Sequence, residues 1–427
     1  MGTPYKTFSY HTFGCKVNFA DSSYIARQVI DKGLSQVSID DYADICLINT
    51  CSVTEKADNK AKKMIKTIHN KFPETKIVVF GCYAQLKPKE ISELDGVAAV
   101  VSTENKFNVS DIIYEDKLDD SYSISDINDI QKFNISYSLS ERVRAFIKIQ
   151  DGCDYNCSYC TIPNARGASR SFNIKDTIDE LDTIISNGTK EIVLSGINIG
   201  DFGKQYNESL YDLLVEIESL NDLHRYRISS IEPNLLTDEI IELISKSDKA
   251  MPHFHIPLQS GSDKILKFMK RRYSLNDYIS VINKVSNKIP GVCIGVDVIV
   301  GFPGETDEDF NMTYNLLEKL NVSYLHVFTY SQRDNTTSQK IPSKVDSSIK
   351  ATRRDKLKRL SAVKYRNFID GNIDRELNIL FEKHTDGILS GWTENYIRVN
   401  VESKENYTNQ IKTVKLMDNH SINGILV

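Results

Sequence analysis

The chain has 427 residues, of which 40% are hydrophobic and 26% are charged. This composition is typical of a soluble globular protein, and the length allows roughly two or three domains. The formal net charge of −5 excludes a protein that holds a nucleic acid through its overall charge. Any such contact must therefore depend on a local positive surface.

The N-terminal residues and the apolar stretches predict a cytoplasmic protein. The first residues, MGTPYKTFSYHTF, lack the charged head and apolar run of a secretory signal. The longest apolar stretch, GVCIGVDVIVGF, contains Asp297 and is shorter than the roughly 20 residues that span a bilayer. We therefore expect no membrane association, and free thiols or metal ligands rather than disulfides.

Residues 1–112 repeat one pattern three times. A β-rich run ends at a cysteine and a helical stretch follows, at Cys15, Cys51 and Cys82 (the N-terminal triad). Alternating strands and helices predict an α/β domain with a parallel sheet, and such sheets bind ligands at the carboxyl ends of their strands. The N-terminal triad is therefore expected to converge on a three-thiolate site.

Two local patterns predict where the following elements begin and end. Ser52 and Glu55 have the spacing of a capping box at the start of the next helix. Residues 113–140 are acidic, rich in Ser and Asn, and lack a clear helical or strand period. This segment predicts a linker between two domains.

Residues 141–370 alternate strands and helices again. Six strand candidates, from RAFIKIQ to YLHVFTY, are separated by helical stretches. Six βα units are fewer than the eight that close a barrel, so we expect a partial (βα)6 barrel with an open side for a large substrate. Polar and glycine residues follow these strands, at the face where parallel barrels place their active sites.

Three cysteines follow the first strand of this barrel. The stretch DGCDYNCSYC contains Cys153, Cys157 and Cys160 (the central triad), with no fourth cysteine nearby. A closed zinc site or an ordinary iron–sulfur cluster uses four protein ligands. Either a distant residue completes the set, or the fourth position is open to a ligand that is not protein.

The end of the chain predicts a small domain preceded by a basic segment. Residues 371–427 contain short β-like runs separated by turn residues, which indicate an all-β module. Residues 340–366 hold ten Lys or Arg and two Asp. The densest part, KATRRDKLKR at 350–359, is a candidate surface for a polyanion, and a solvated helix face is the alternative.

The spacing C-x3-C-x2-C after a first barrel strand resembles the cluster motif of radical S-adenosylmethionine enzymes. The stretches HIPLQSGSDKILKFMKR and DVIVGFPGETDEDF, with the N-terminal triad, resemble the methylthiotransferases among these enzymes. FGCKVNFADS and IQDGCDYNCSYCTIPNARGASRS are most similar to the MtaB type, which modifies threonylcarbamoyl-adenosine in tRNA. The β module resembles the RNA-binding TRAM-like domain of this family, especially in GWTENYIRV.

The resemblance implies two 4Fe-4S clusters and S-adenosylmethionine as cofactors. The central triad would hold the cluster whose open iron binds S-adenosylmethionine, and the N-terminal triad would hold an auxiliary cluster that carries the transferred sulfur. Both triads are thus the candidate catalytic and metal-binding residues. The candidate cofactor-binding residues, for which packing or turn roles are the alternatives, are Tyr159, Gly196, Ile197, Asn198, Glu232 and Gln259.

Four further residues are candidates for binding the nucleic acid. Arg166 and Arg170 flank a glycine after the central triad, and they could bind phosphate or carboxylate or lie at the surface. Trp392 and Tyr396 could stack on bases, but core packing is the better interpretation.

The stretch YSQRDNTTS resembles the family motif Y-S-x-R-x-G-T, with Asn335 at the glycine position. Asparagine tolerates the left-handed conformation.

The implied activity is addition of a methylthio group to carbon 2 of threonylcarbamoyl-adenosine next to the anticodon. The implied partners are the anticodon stem-loop of tRNA and an electron donor such as a flavodoxin or ferredoxin, and the protein is expected to be a monomer. The alternative substrates are isopentenyl-adenosine in tRNA and a ribosomal-protein aspartate. A more distant alternative is a zinc-stabilised nucleic-acid-binding protein, which would need a fourth ligand at each triad.

Overall fold

The structure is a computed structural model of the chain. It describes residues 3–118, 122–123, 125–130, 132–139, 143–419 and 421–427. The chain forms two compact units. The first unit comprises Met1–Leu139, Phe146–Ser171 and Ser331–Thr336, and the second comprises Ser140–Ala145, Phe172–Tyr330 and Thr337–Val427.

The first unit begins with alternating strands and helices. Its elements in chain order are β1 Thr7–Thr12, α1 Lys16–Asp31, β2 Ser35–Gln36, β3 Ile45–Thr50, α2 Glu55–Lys71, β4 Lys76–Gly81, α3 Cys82–Leu86, α4 Pro88–Ser92, β5 Val97–Val101, α5 Val109–Tyr114, β6 Tyr122–Ser123, β7 Ser136–Tyr137, β8 Arg144–Lys148, β9 Gln150–Asp151, α6 Ile162–Arg166 and β10 Arg170–Ser171.

A parallel sheet of six strands forms the centre of the first unit, in the order β2-β1-β3-β4-β5-β6. On one face, Phe8 and Leu47 pack with apolar residues of α1 and α5. On the other face, Ile48 and Val79 pack with apolar residues of α2. Because helices cover both faces, the central strands are apolar along their length, and the predicted parallel-sheet α/β domain is confirmed.

The segment 113–140, predicted as a linker, differs from that prediction where the structure describes it. Phe133 and Ile135 are buried, and β7 pairs with β8 in antiparallel register. The hydroxyl of Ser136 donates a hydrogen bond of 2.7 Å to the buried carboxylate of Asp21. These anchors are scattered along the segment, so no helical or strand period indicates them.

The predicted capping box at Ser52 and Glu55 is wrong. Helix α2 begins at Glu55, and the side chain of Thr54 accepts the hydrogen bond from the backbone N–H of Ala57. Ser52 donates instead to the Asp58 carboxylate, at 2.7 Å. The spacing of the two residues is compatible with a cap, but a tertiary partner takes the serine hydroxyl.

The second unit continues the alternation and ends in antiparallel strands. Its elements are α7 Ile174–Ser186, β11 Glu191–Ser195, α8 Leu210–Glu218, β12 Arg225–Ile228, α9 Asp238–Lys246, β13 His253–His255, α10 Asp263–Phe268, α11 Leu275–Lys288, β14 Cys293–Val300, α12 Asp307–Lys319, β15 Tyr324–Thr329, α13 Ser347–Asp370, β16 Glu376–Thr385, β17 Ile388–Thr393, β18 Arg398–Glu402, β19 Ile411–Asn419 and β20 Ser421–Leu426. None of the helices within the described ranges has both the length and the apolar composition needed to cross a membrane.

Five parallel strands of the second unit form most of the predicted partial barrel. Strand β11 pairs with β12, and β13 pairs with β14, which pairs with β15. Isolated parallel bridges, Tyr226 to Ala250 and Ser230 to His255, connect the two sets. The remaining predicted strand is β8, the first of the six in chain order. It begins in the second unit and ends in the first.

The C-terminal strands form a closed barrel in the order β16-β17-β18-β20-β19, as predicted for the small β module. A charged layer joins this module to the partial barrel. Arg227 on β12 donates to Glu191 on β11 at 2.7 Å, and also to the carbonyl oxygens of Thr393 and Glu394. The β module therefore closes the end of the partial barrel at which β11 and β12 begin.

The basic segment forms helix α13, but its positive charges do not all face solvent. Arg353 is buried, and its guanidinium donates at 2.5 Å to Glu305 and at 2.8 Å to Asp307. Arg354 is half-buried, with its side chain 38% exposed, and it pairs with the adjacent Asp355. The candidate surface at 350–359 is therefore only partly available to a polyanion.

This difference predicts opposite outcomes for two adjacent arginines. Arg353→Ala should lower the free energy of unfolding by about 3–5 kcal/mol, because it leaves the Glu305 carboxylate buried without its cation. Burial already raises the pKa of Glu305. The matched variant Arg354→Ala should have little effect. The free energies of unfolding of both variants are measured by urea denaturation, monitored by circular dichroism. Equal midpoints for the two variants would contradict the structural role assigned to Arg353.

Candidate active site

The three cysteines of the N-terminal triad follow β1, β3 and β4, which are neighbours in the parallel sheet. Cys82 is buried, Cys51 is half-buried and Cys15 is exposed. A Cβ added at Gly14, whose φ is +104°, would lie 2.8 Å from the Cβ of Cys51. The loops that carry Cys15 and Cys51 therefore pack closely, and Cys82 follows β4, the strand next to β3.

Asn18 holds these two loops together. Its buried side-chain amide donates to the carbonyl oxygen of Phe13 at 2.8 Å and to that of Thr50 at 3.0 Å.

Burial and the neighbouring Cys82 raise the pKa of Cys51 to about 12. Because iron and zinc bind the thiolate form, metal binding at this triad must release protons.

Arg166 connects the N-terminal triad to the strand before the central triad. Its side chain is 2% exposed, and its Nε donates to the Cys82 sulfur at 3.4 Å. One terminal nitrogen donates to Asp151 at 2.7 Å, and the other donates to the side-chain oxygen of Asn18. Arg166 thus binds a carboxylate of the protein itself, and it does not lie at the surface.

Two buried carboxylates and several cations form a network around Arg166. Lys148 and Lys106 donate to Asp21 at 2.8 and 2.5 Å. Burial opposes ionisation of Asp21, but these cations and Arg166 outweigh it and lower its pKa to about 2. The pKa of Asp151 is likewise held well below its usual value by Arg166 and its neighbouring cations, against burial. Buried charges of opposite sign therefore compensate one another here.

Arg170, the second arginine of the predicted anion-binding pair, is also buried. Its guanidinium donates to the carbonyl oxygens of Arg166 and Ala168, at 2.6 and 3.0 Å. It also lies 3.7 Å from the Asp151 carboxylate. Arg170 therefore holds the backbone that follows the central triad, and the predicted surface role is wrong for both arginines.

The central triad lies in the loop between β9 and α6, and its three cysteines are half-buried. The backbone N–H of Cys153 donates to Gly167, and that of Cys160 donates to Cys157. A Cβ at Gly152 would lie only 1.9 Å from the carbonyl oxygen of Ala168, so this position requires glycine. Three thiolates on one short loop fit a 4Fe-4S cluster that keeps one iron open to another ligand.

The motif YSQRDNTTS lies beside the N-terminal triad. Arg333 donates at 2.6 Å to the hydroxyl of Ser52 and to the carboxylate of Asp58, one residue and seven residues after Cys51. Asn335 has a φ of +59°, so the turn expected from the family glycine survives with asparagine. The structure thus assigns this motif to the support of the Cys51 loop, a role that the sequence did not predict.

The predicted cofactor-binding residues are in different environments. Tyr159, Gly196 and Ile197 are half-buried. Asn198 is buried and donates to Asp201 at 2.7 Å.

Two other predicted cofactor-binding residues have partners in the second unit. Glu232 pairs with Arg271. Gln259 has a φ of +66°, and its backbone N–H donates to the backbone carbonyl oxygen of Asp297 at 2.8 Å. These contacts fix the Glu232 carboxylate and the backbone of Gln259.

The aromatic residues of the β module pack within the second unit. Trp392 stacks on Tyr396 with ring centroids 4.4 Å apart, and Tyr396 stacks on His253 at 4.0 Å. The indole N–H of Trp392 donates to Glu382 at 2.9 Å. Packing, the interpretation that the sequence favours, is what the structure shows.

One group on the barrel strands was not predicted. The side chains of His255, Asp297 and His326 bring three potential ligand atoms within 4.8 Å of one another. These residues come from three different strands and share no short motif. The sequence could have indicated this group only if the cross-strand register of the three strands had been known.

Comparison with known proteins agrees with the cysteine pattern. The Radical SAM superfamily profile matches residues 147–317, and the profile described as uncharacterized protein family UPF0004 matches residues 7–102. Among solved structures, the radical S-adenosylmethionine methyltransferase TsrM from Kitasatospora setae aligns with a TM-score of 0.58 at 14% identity, over 76% of this chain and 73% of that chain. This similarity shows a shared fold.

Curated relatives are similar over nearly the whole chain. Threonylcarbamoyladenosine tRNA methylthiotransferase MtaB of Bacillus subtilis is 36% identical over 96% of this chain and 94% of the relative. MtaB of Thermotoga maritima is 37% identical over 92% of this chain and 91% of the relative. The tRNA-2-methylthio-N(6)-dimethylallyladenosine synthase of Staphylococcus saprophyticus is 31% identical over 99% and 85%.

The two MtaB relatives align with 96% and 92% of this chain, at 36% and 37% identity. The chain therefore belongs to the radical S-adenosylmethionine methylthiotransferase family, whose tRNA-modifying enzymes use S-adenosylmethionine and iron–sulfur chemistry.

Proposed function

We propose that this enzyme adds a methylthio group to carbon 2 of threonylcarbamoyl-adenosine next to the anticodon of tRNA. The observation that carries the proposal is the identity of 34–37% to four MtaB relatives, against 29–31% to the dimethylallyladenosine synthases. The three-thiolate composition of both triads supports the same chemistry. The substrate is the anticodon stem-loop, and the enzyme acts in the cytoplasm as a monomer.

The central triad, Cys153, Cys157 and Cys160, would hold the 4Fe-4S cluster that binds S-adenosylmethionine. When bound, this pair of cofactors would supply radical chemistry able to remove the carbon-2 hydrogen, which side-chain bases do not remove at neutral pH. An external flavodoxin or ferredoxin supplies the electron. The protein contributes the three thiolates, and Gly152 and Arg170 hold the loop that carries them.

The N-terminal triad, Cys15, Cys51 and Cys82, would hold the auxiliary cluster that carries the transferred sulfur. Arg166 donates to the Cys82 sulfur, and a hydrogen bond to a ligating sulfur is one of the means by which proteins tune such clusters. The residues proposed to contact S-adenosylmethionine are Tyr159, Gly196, Ile197, Asn198, Glu232 and Gln259.

The nucleoside product tests the proposed substrate directly. Expression in a bacterial strain that lacks its own threonylcarbamoyl-adenosine methylthiotransferase should restore 2-methylthio-threonylcarbamoyl-adenosine, measured by mass spectrometry of digested tRNA. A strain that lacks the isopentenyl-adenosine enzyme should not be complemented. Restoration of the methylthio-isopentenyl nucleoside alone, or methylthiolation of a ribosomal-protein aspartate, would assign the enzyme to the alternative substrates.

Cys157→Ala should abolish cleavage of S-adenosylmethionine and leave the fold intact. The change removes one of the three thiolates of the central triad, whereas the sheet and the partial barrel keep their cores. Anaerobically reconstituted protein is assayed for 5′-deoxyadenosine with a chemical reductant, and circular dichroism checks the fold. Cleavage at the wild-type rate would remove the central triad from the mechanism.

Cys51→Ala should separate cofactor cleavage from product formation. The central triad remains complete, so 5′-deoxyadenosine should still form, but the methylthio nucleoside should be absent and the iron content should fall by about half. Cys46→Ala is the matched control, because this buried thiol is the second residue of β3 and lies outside the N-terminal triad. Methylthiolated tRNA from the Cys51 variant would place the sulfur donor elsewhere.

A further inference from the structure

A polar group lies on the barrel strands of the second unit, separate from the two cysteine triads in sequence. The Nε2 of His255 donates to the Asp297 carboxylate at 2.8 Å. The rings of His255 and His326 have centroids 5.2 Å apart. A ligand atom from each of the three side chains lies within 4.8 Å of the others. We call these three residues the His–Asp–His cluster.

Strand register places the cluster on one face of the sheet. Asp297 on β14 is the direct cross-strand partner of His326 on β15. His255 on β13 stands opposite Gly295, two residues before Asp297. Since side chains alternate between faces with a period of two, all three side chains leave the same face. The alternate residues of β14, including Val296 and Val298, are fully buried on the opposite face.

This face is accessible at the cluster and closed next to it. The side chains of His255 and Asp297 are 21% and 20% exposed, and His326 is exposed. One step back along the strands, His253 and Tyr324 are in contact, and His253 stacks on Tyr396 of the β module. The cluster is therefore accessible to solvent, whereas aromatic rings cover the same face one step back along the strands.

An exposed aromatic ring follows the cluster on the same face. Phe328 is 42% exposed and lies two residues after His326 on β15. Two residues of a strand span about 6–7 Å. A nucleobase stacked on Phe328 would thus place a substituent several ångströms long beside His326 and Asp297, because aromatic side chains bind unpaired bases by stacking.

We propose that the His–Asp–His cluster binds the threonylcarbamoyl group of the substrate adenosine, with Phe328 as the stacking surface for the base. His326 donates to the threonyl carboxylate. Asp297, held by His255, accepts a hydrogen bond from the threonyl hydroxyl or the carbamoyl N–H. The inference rests on the proposed function, since it assigns residues to the recognition of that substrate.

The chemistry of the cluster explains selection between related substrates. A carboxylate with a neighbouring hydroxyl matches an imidazole donor beside a carboxylate acceptor. An isopentenyl group offers neither, so its binding would leave desolvated polar groups of the cluster without partners. A site that hydrogen-bonds a polar group of its substrate strongly rejects an analogue that lacks this group. An apolar site rejects an analogue that differs by one methylene group far less strongly.

Binding without turnover tests the proposal. The full-length enzyme, loaded with its iron–sulfur clusters and kept without reductant, is titrated with three anticodon stem-loop RNAs, and the affinity for each is measured. The RNAs carry threonylcarbamoyl-adenosine, isopentenyl-adenosine or unmodified adenosine at the same position. The wild type should prefer the threonylcarbamoyl RNA by at least about tenfold. His326→Gln and Asp297→Asn should reduce this preference to within about twofold, and affinity for the unmodified RNA should not change.

His224→Gln is the matched control, because this exposed imidazole immediately precedes β12 and lies outside the cluster. It should keep the wild-type preference. Unchanged preference in both cluster variants would overturn the inference while the nucleoside product still supports the proposed function. A wild type with no preference, together with a different nucleoside product, would instead mean that the proposed function has failed.

Two further outcomes would assign the cluster to another ligand. Weaker binding of S-adenosylmethionine by His326→Gln, with the RNA preference intact, would make it part of the cofactor site. Two histidines and a carboxylate can also bind a divalent cation. The wild-type enzyme, loaded with its iron–sulfur clusters, would then bind one equivalent of Zn²⁺ or Mn²⁺, and His326→Gln would lose this binding. That result would make the His–Asp–His cluster a metal site. Either result overturns the proposal.

Discussion

The arrangement of the first unit depends on the buried guanidinium of Arg166. This group donates to a thiol of the N-terminal triad, to the amide of Asn18 and to the carboxylate of Asp151. A guanidinium presents its donors in a fixed planar fork, so its three partners cannot shift independently. The cysteine loop at β4, the start of α1 and the strand before the central triad are thereby held in one geometry.

Buried charge constrains both units in the same way. In the first unit, Asp21 and Asp151 are neutralised by Arg166 and by two lysines that are also buried. In the second unit, Glu191 is fully buried and pairs with Arg227 at the base of the partial barrel. Removing one member of such a group leaves an uncompensated charge in a medium of low dielectric. The arginines and lysines of these groups are consequently structural, although side chains of the same type bind phosphate in other proteins.

Much of the fold could be predicted because the relevant patterns are local. Strand and helix periods indicated the parallel sheet, the partial barrel and the β module, and a period depends only on neighbouring residues. The segment 113–140 could not be predicted, because Phe133 and Ile135 contribute to the core as single anchors. Ser52 could not be assigned either, because its partners Asp58 and Arg333 compete with the local cap.

The sequence by itself determined the thiol composition of the two cysteine triads and their positions after strands, since the type and spacing of these residues are properties of short segments. Tertiary structure alone decided which cations remain accessible. Arg353 and Arg354 are adjacent and chemically identical, but only the first points into the core. Tertiary structure also brought together His255, Asp297 and His326, because cross-strand register and burial depend on residues far apart in the chain.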